Sequence, residues 1–343
     1  MKSAWVIAPK KVELKEIEMP KVTDDGILIK IKAAGVCGSD IGCFMCEHPF
    51  RTPPSMLGHE MSGVVVECGK NTTGFKPGDK VAFNPVVSCG HCELCEDGAG
   101  NCCADRTIAG ADGSPIQGTF AEYINAPASF VTKFDDDISY DVGCLIEPMS
   151  VAVHAIKRFT GRKDSILVYG TGVIGICTVL LAKNMGYKRI YCTNRRKYNR
   201  DLAMEFGATA AWNPAETDTV EMLKKLEPNG VNAVMLSIAD DKIIKECEDV
   251  LKPRGEIVYV YQNIKPVAVN FTPLVNREYA IYGATGETME DFDEAAEYVS
   301  KHPDLCQKLI SRVYPMTESA AAVDFMMQKE IPVIKVLVHP EEC

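Results

Sequence analysis

The sequence predicts an α/β protein of two domains, a mostly-β domain followed by a doubly wound parallel sheet with helices on both faces. Three observations point there. At 343 residues the chain exceeds what one core comfortably serves. Up to about residue 150 it reads as short strands punctuated by Gly and Pro, and after Pro148 it turns to apolar strands of five or six residues alternating with helices. Finally, a glycine-rich turn, Gly170-Thr171-Gly172-Val173-Ile174-Gly175, follows one of those strands and opens an apolar helix.

In the first part, 26–33 and 62–67 are the clearest strands, and Lys76-Pro77-Gly78-Asp79 is a turn feeding a further strand through Phe83. Beyond Pro148 the predicted strands are 166–169, 189–193, 209–212, 233–236, 257–260 and 280–282, with helices at 173–185, 197–206, 220–226 and 242–251 between them. Helices at 290–300 and 319–328 and a final strand at 333–338 remain, and these last pieces are expected to return to the first domain. The expected organisation is therefore a first domain at 1–152 with a lobe at 88–104, a second domain at 153–287, and a returning segment at 288–343. Neither an internal repeat nor a low-complexity segment is present.

Composition narrows the function. A formal charge of −10 with no basic stripe excludes a partner that must be tracked along phosphates, so no nucleic acid is expected. Fifteen cysteines in a chain this long, an odd count with several inside apolar runs such as Ile176-Cys177-Thr178, fit a reducing compartment better than a disulfide framework. The start, Met1-Lys2-Ser3-Ala4-Trp5, carries no signal-like apolar run, and no segment approaches a membrane span, so no membrane partner is expected and the reading is cytoplasmic.

Cys89, Cys92, Cys95 and Cys103 stand in a C-x2-C-x2-C-x7-C array within a loop rich in Gly, Glu and Asp. Four soft thiolates so close together suit a closed tetrahedral Zn2+ site that stabilises a lobe with little apolar surface to bury. Cys102 is adjacent to Cys103, and Cys103 is taken as the fourth ligand. Cys37, His59 and Glu60 form a second set of metal-type residues.

The glycine turn is a dinucleotide fingerprint in the right setting. Gly170 permits the tight turn, Gly172 lets the backbone approach a pyrophosphate, and Gly175 lets the helix pack on the strand, so phosphate meets the helix N-terminus. About twenty residues on, an NAD site wants a carboxylate for the ribose 2′-hydroxyl. This chain reads Thr193-Asn194-Arg195-Arg196, an amide and two guanidinium groups that suit a 2′-phosphate, so NADP(H) is expected over NAD(H).

Gly35-Val36-Cys37-Gly38-Ser39-Asp40, Gly58-His59-Glu60 and Glu147-Pro148, in order with the thiol array and the glycine turn, resemble the zinc-dependent medium-chain dehydrogenases, in particular the sorbitol and threonine dehydrogenase branch. The resemblance covers nearly the whole chain. It implies a GroES-like catalytic domain joined to a Rossmann domain, two zinc ions per chain, a small alcohol or ketone substrate and a homodimer or homotetramer. By the same resemblance the catalytic zinc takes Cys37, His59 and a carboxylate from Glu60 or Glu147, Asp40 orients the histidine, and Ser39 passes the substrate proton. The implied reaction joins a small secondary alcohol, polyol or sugar-derived alcohol to its ketone. The alternatives are a sugar dehydrogenase of the glucose 1-dehydrogenase kind and a non-catalytic NADPH-binding protein.

Two positions depart from the family. Where many relatives carry a relay histidine five residues after the first zinc cysteine, this chain has Gly42, and His48 is the candidate substitute. The polyol-binding Arg-Tyr pair is replaced by Gly283-Ala284-Thr285-Gly286. Cys43 and Cys46 form a C-x-x-C read as inert lining or a redox pair. Phe120 matches a pocket-lining position and reads equally as core.

Overall fold

The structure, a computed structural model, describes residues 1–260, 266–328 and 330–340. The chain divides into two compact units, Met1–Ser150 together with Gly286–Cys343, and Val151–Thr285.

In the first unit a seven-stranded sheet runs in the order Val131–Lys133, Lys80–Phe83, Glu60–Cys68, Gly26–Gly35, Lys335–His339, Ile310–Pro315, with Tyr123–Pro127 also paired to Gly26–Gly35. The strand Gly26–Gly35 is buried along most of its length, which is why its sequence is nearly continuous in apolar residues instead of strictly alternating. Its Ile27, Ile29 and Ile31 pack with Leu57, Met61, Phe83 and Val338 in the core. Lys335–His339 lies antiparallel to Gly26–Gly35 and parallel to Ile310–Pro315, so the C-terminal strand returns to the sheet beside Ala34 and Gly35. That return brings Lys335 onto the carbonyl of Val36, 299 positions earlier.

The second unit is a six-stranded sheet with every neighbouring pair parallel, in the order Ala210–Trp212, Arg189–Thr193, Ser165–Tyr169, Val231–Leu236, Leu251–Tyr259, Ala280–Gly283. Leu167, Tyr169, Tyr191, Trp212 and Leu236 fill its core. The order places Ser165–Tyr169 centrally, and the helix Val173–Asn184 leaves its C-terminal end through the glycine turn. This is the location at which open parallel sheets bind their ligands.

The expected strands and helices are found, most with small shifts of their ends, and one large shift and three of the elements not foreseen bear on the sites. The strand expected at 257–260 starts at Leu251, its early part hidden by Pro253 and Gly255 and by a register irregularity against Val231. Helix Phe271–Arg277 carries Pro273 in its first turn and leaves Phe271 and Val275 exposed, so no amphipathic pattern marks it. Helix Ile146–Lys157 tolerates Pro148 because a first-turn amide has no intrahelical partner to lose. The division between the two units falls inside that helix. Among the described residues, the short strand Ile310–Pro315 pairs only with the returning C-terminal strand.

Candidate metal centres and nucleotide turn

The sulfurs of Cys89, Cys92, Cys95 and Cys103 all lie within 4.8 Å of one another. Cys92 Sγ is 3.5 Å from Cys95 Sγ and 3.8 Å from Cys103 Sγ, and Cys89 Sγ is 3.8 Å from Cys95 Sγ. Sulfurs at about 2.3 Å from a tetrahedral zinc ion stand about 3.8 Å apart, so the donor set fits that ion. No disulfide joins them. Cys103 is buried within the group whereas Cys102 is exposed. A hydrogen bond from Ser88 is the largest influence on the Cys95 thiol, which is drawn down to about 6 and favours the thiolate.

The second group assembles from distant parts of the first unit. Cys37 caps the helix Gly38–Phe44, and His59 and Glu60 stand at the start of the strand Glu60–Cys68. One ligand atom from each of Cys37, His59 and Glu60 falls within 4.8 Å of the other two. Gly35 pairs with Glu60 across the sheet, and a Cβ at Gly35 would stand 1.9 Å from Glu60 Oε2. Only glycine leaves room for that carboxylate. Glu147, in the first turn of Ile146–Lys157, places Oε1 3.8 Å from His59 Nε2.

Electrostatics explain how so many acids share this space. Glu60 accepts two hydrogen bonds from Lys335 Nζ at 2.6 and 2.7 Å, and the same ammonium donates to Val36 O at 3.0 Å. Both side chains are buried. Burial opposes the lysine charge, and the Glu60 carboxylate overrides it, so Lys335 stays an ammonium. Asp40 accepts from Arg51 Nη1 and from the Gly58 amide, both at 2.8 Å, and from the Cys37 amide at 2.9 Å. Burial works to raise its carboxyl, but Arg51, His59 and the two amides hold it below the ordinary value.

Burial, followed by the Glu60 charge, raises the Cys37 thiol; burial also pushes the Glu147 carboxyl well up. A thiol and a carboxyl made reluctant to ionise beside a neutral-capable imidazole are the donors a divalent cation relieves, so this set also fits zinc.

Three of the candidate positions have surroundings that the sequence did not specify. No hydrogen bond joins Asp40 to His59 among the described residues. The carboxylate is filled by Arg51 and two backbone amides, and it reaches the histidine through the Gly58 backbone just before it. Phe120 is fully buried in the core of the first unit, so the core reading holds over the pocket-lining one. His48 is outside the metal-type group. Its Nδ1 accepts from the Phe50 amide at 3.2 Å, and its ring lies 3.4 Å from where a Gly42 Cβ would stand. Burial, then Arg51, lowers its pKa. Ser39 Oγ is buried without a hydrogen-bond partner among the described residues. Cys43 is buried, its thiol raised by that burial, and Cys46 is half-buried with φ of 58°.

Three residues at this centre were not singled out from the sequence. Lys335 had a signal, a lysine inside the apolar run Ile334 to Val338. Arg51 had none. Glu287 is 1% exposed and neither carboxylate oxygen has a partner. Burial, then the charges of Asp291, Cys37 and Glu60, push its carboxyl up to about 8.

In the second unit, Gly170 adopts φ of 82°, and a Cβ on Gly175 would stand 1.9 Å from Gly170 O. Nothing lies within 4 Å of a Cβ on Gly172, which is exposed ahead of the half-buried Val173 and Ile174. Thr171 Oγ1, Thr193 Oγ1 and Asn199 Oδ1 are buried around the turn without partners among the described residues. Such orphaned atoms beside a helix N-terminus fit a phosphorylated ligand. Asn194 Oδ1 accepts from the Arg196 amide at 2.9 Å. Arg195 is exposed, and its guanidinium has no partner among the described residues, whereas Arg196 is half-buried.

Comparison with known proteins identifies the family. The alcohol dehydrogenase GroES-like domain family matches residues 23–136, and the zinc-binding dehydrogenase family matches residues 173–301. The chain is 30% identical to an L-threonine 3-dehydrogenase of Caldanaerobacter subterraneus subsp. tengcongensis, over 94% of each chain. It is 29% identical to a sorbitol dehydrogenase of Bacillus subtilis, over 99% of this chain and 97% of the other. Among solved structures, a zinc-binding dehydrogenase from Sinorhizobium meliloti 1021 bound to NADP matches with a TM-score of 0.89 at 27% identity over 99% of both chains. An alcohol dehydrogenase from Escherichia coli CFT073 complexed with NADH matches with a TM-score of 0.90, also at 27% identity over 99% of both.

Proposed function

Because the chain belongs to the zinc-dependent medium-chain dehydrogenases, in the branch of the sorbitol and threonine dehydrogenases, we propose that it moves a hydride between NADP(H) and a small secondary alcohol, polyol or sugar-derived alcohol and the matching ketone. The observation that carries this reading is the convergence of Cys37, His59 and Glu60 donor atoms within 4.8 Å, with Glu147 beside the imidazole. A bound zinc ion supplies the Lewis acidity that lets an alcohol ionise near neutral pH, and the nicotinamide supplies the hydride acceptor.

The chain's own residues do the rest. Cys37 and His59 hold the ion with a carboxylate from Glu60 or Glu147. Lys335 fixes Glu60, and Arg51 with Asp40 fixes the two loops that carry Cys37 and His59. Ser39 Oγ, buried and unpartnered, is the hydroxyl that accepts the substrate proton and passes it on. His48 is next in line, because its ring covers the space over Gly42 that a relay side chain would otherwise fill.

The 2′-position is addressed by donors. With Asn194 Oδ1 committed to the Arg196 amide and the Arg195 guanidinium without a partner among the described residues, the turn suits a phosphate better than a hydroxyl seeking an acceptor. The four thiolates hold a second, structural zinc.

Metal counting on wild type and on Cys37→Ser tests the proposal. Two zincs in wild type are expected to fall to one in the variant, with turnover lost by about 1,000-fold or more, the scale of several kcal/mol of transition-state stabilisation. Full activity with both zincs retained would refute it. One zinc in the wild type would instead favour a non-catalytic nucleotide-binding protein. For the cofactor, Arg195→Asp is expected to reverse a preference for NADPH over NADH in kcat/KM, and an unchanged preference would defeat the assignment.

A further inference from the structure

We infer that Arg200 is a positioning residue for the 2′-phosphate, holding the carbonyl oxygens of the recognition turn so that the turn presents donors to the nucleotide. This deepens, and rests on, the NADP(H) reading above.

Arg200 lies in the helix Lys197–Glu205, four residues after Arg196. Its Nη1 donates to Asn194 O and to Arg195 O, both at 2.8 Å. A third acceptor of the same turn, Asn194 Oδ1, is taken by the Arg196 amide at 2.9 Å. Three oxygens that would repel a phosphate are thereby occupied. Among the described residues, what the turn has left to offer is the Asn194 amide group and the Arg195 guanidinium.

The arrangement discriminates in both directions. A 2′-phosphate needs donors and finds them, while a 2′-hydroxyl donates and meets acceptors that are already engaged. The adjacent residue braces the other half of the site, since Asn199 Nδ2 donates to Thr171 O at 2.6 Å. Two consecutive side chains of one helix thus tie the glycine turn and the 2′-turn to a common support. A guanidinium suits the Arg200 task because one nitrogen carries two hydrogens at a fixed angle, whereas a lysine ammonium sits on a flexible stem.

The test uses full-length wild type, Arg200→Met and Arg200→Lys, titrated calorimetrically with 2′,5′-ADP and with 5′-AMP at one ionic strength, because exposed charge interactions are screened by salt. Arg200→Met is expected to weaken 2′,5′-ADP about tenfold or more and 5′-AMP less than about threefold, with Arg200→Lys remaining several-fold weaker than wild type for 2′,5′-ADP. Two results would overturn the inference: an unchanged ratio in Arg200→Met, whether both nucleotides keep their affinity or lose it equally, or full recovery in Arg200→Lys, which would reduce the role to charge alone. A wild type without preference for 2′,5′-ADP would sink the NADP(H) reading itself, and the two failures are therefore told apart before any variant is compared.

Discussion

The two metal-type clusters of this chain are built in opposite ways. The four thiols come from fifteen consecutive residues, 89–103, and three of them are only half-buried. The Cys37 cluster gathers residues from 37 to 335 of the chain and places Asp40, Glu60, Glu147 and Glu287 out of solvent, with Arg51 and Lys335 as the opposing charges. A local loop can preset ligand spacing through its own turns. A dispersed cluster must be held by the fold, and it spends buried ion pairs to keep its ligands in place. The lobe should therefore fail by losing its metal, and the dispersed site by losing its supports.

The sharpest way to break that contrast is Lys335→Met. It removes the counter-charge of a fully buried carboxylate, and leaving one member of a buried pair uncompensated costs about 3–5 kcal/mol. Urea unfolding should show that loss while the thiolate zinc remains bound, and a double variant, Lys335→Met with Glu60→Gln, should recover part of it. A loss below about 1 kcal/mol, the scale of an exposed pair, would mean the pair is not sealed from water.

The lobe predicts a smaller and more local effect. Cys103→Ser should release the structural zinc and open the loop around residues 88–104 to proteolysis, leaving Cys37-dependent metal in place. Cys102→Ser should do neither, because that thiol is exposed and outside the group. Should Cys102→Ser release zinc instead, the fourth ligand has been misassigned.

The same contrast governs what was legible in the sequence. The thiol array and the glycine turn were readable because their geometry is encoded in spacing along one segment. Cys37, His59, Glu60 and Glu147 were readable only as an ordered set of short motifs. Their supports were less so. Arg51 reaches Asp40 and the carbonyls of Gly58 and Gly110 from a loop with no pattern of its own, and nothing in the sequence around it announces burial. Lys335 was marked by standing in an apolar strand, but its partner 275 positions away follows only from the pairing of Lys335–His339 with Gly26–Gly35 and of that strand with Glu60–Cys68. The helix Phe271–Arg277 went unread because its exposed Phe271 and Val275 break the amphipathic pattern on which helix recognition depends.

Glu287 sharpens the comparison with the smallest effect. It is the acid of the dispersed cluster that has neither an ion pair nor a hydrogen bond among the described residues, and its carboxyl is raised by burial, then by Asp291, Cys37 and Glu60, to about 8. A carboxyl raised on folding binds a proton that the unfolded chain has already released. Its contribution is thus fully present below the unfolded value of about 4.5 and is lost as pH rises through about 8, with a slope of at most about 1.4 kcal/mol per pH unit. Wild type should therefore lose stability against Glu287→Gln between pH 6 and 8, in the opposite sense to a salt-bridged acid such as Asp40. A cation at the Cys37 site would oppose the rise and shallow the slope, so urea midpoints across that range, with and without added zinc, report how strongly Glu287 senses the metal. Parallel midpoint curves for the two proteins would show that the carboxyl is solvated or paired after all, and the dispersed site would then have no unbalanced acid.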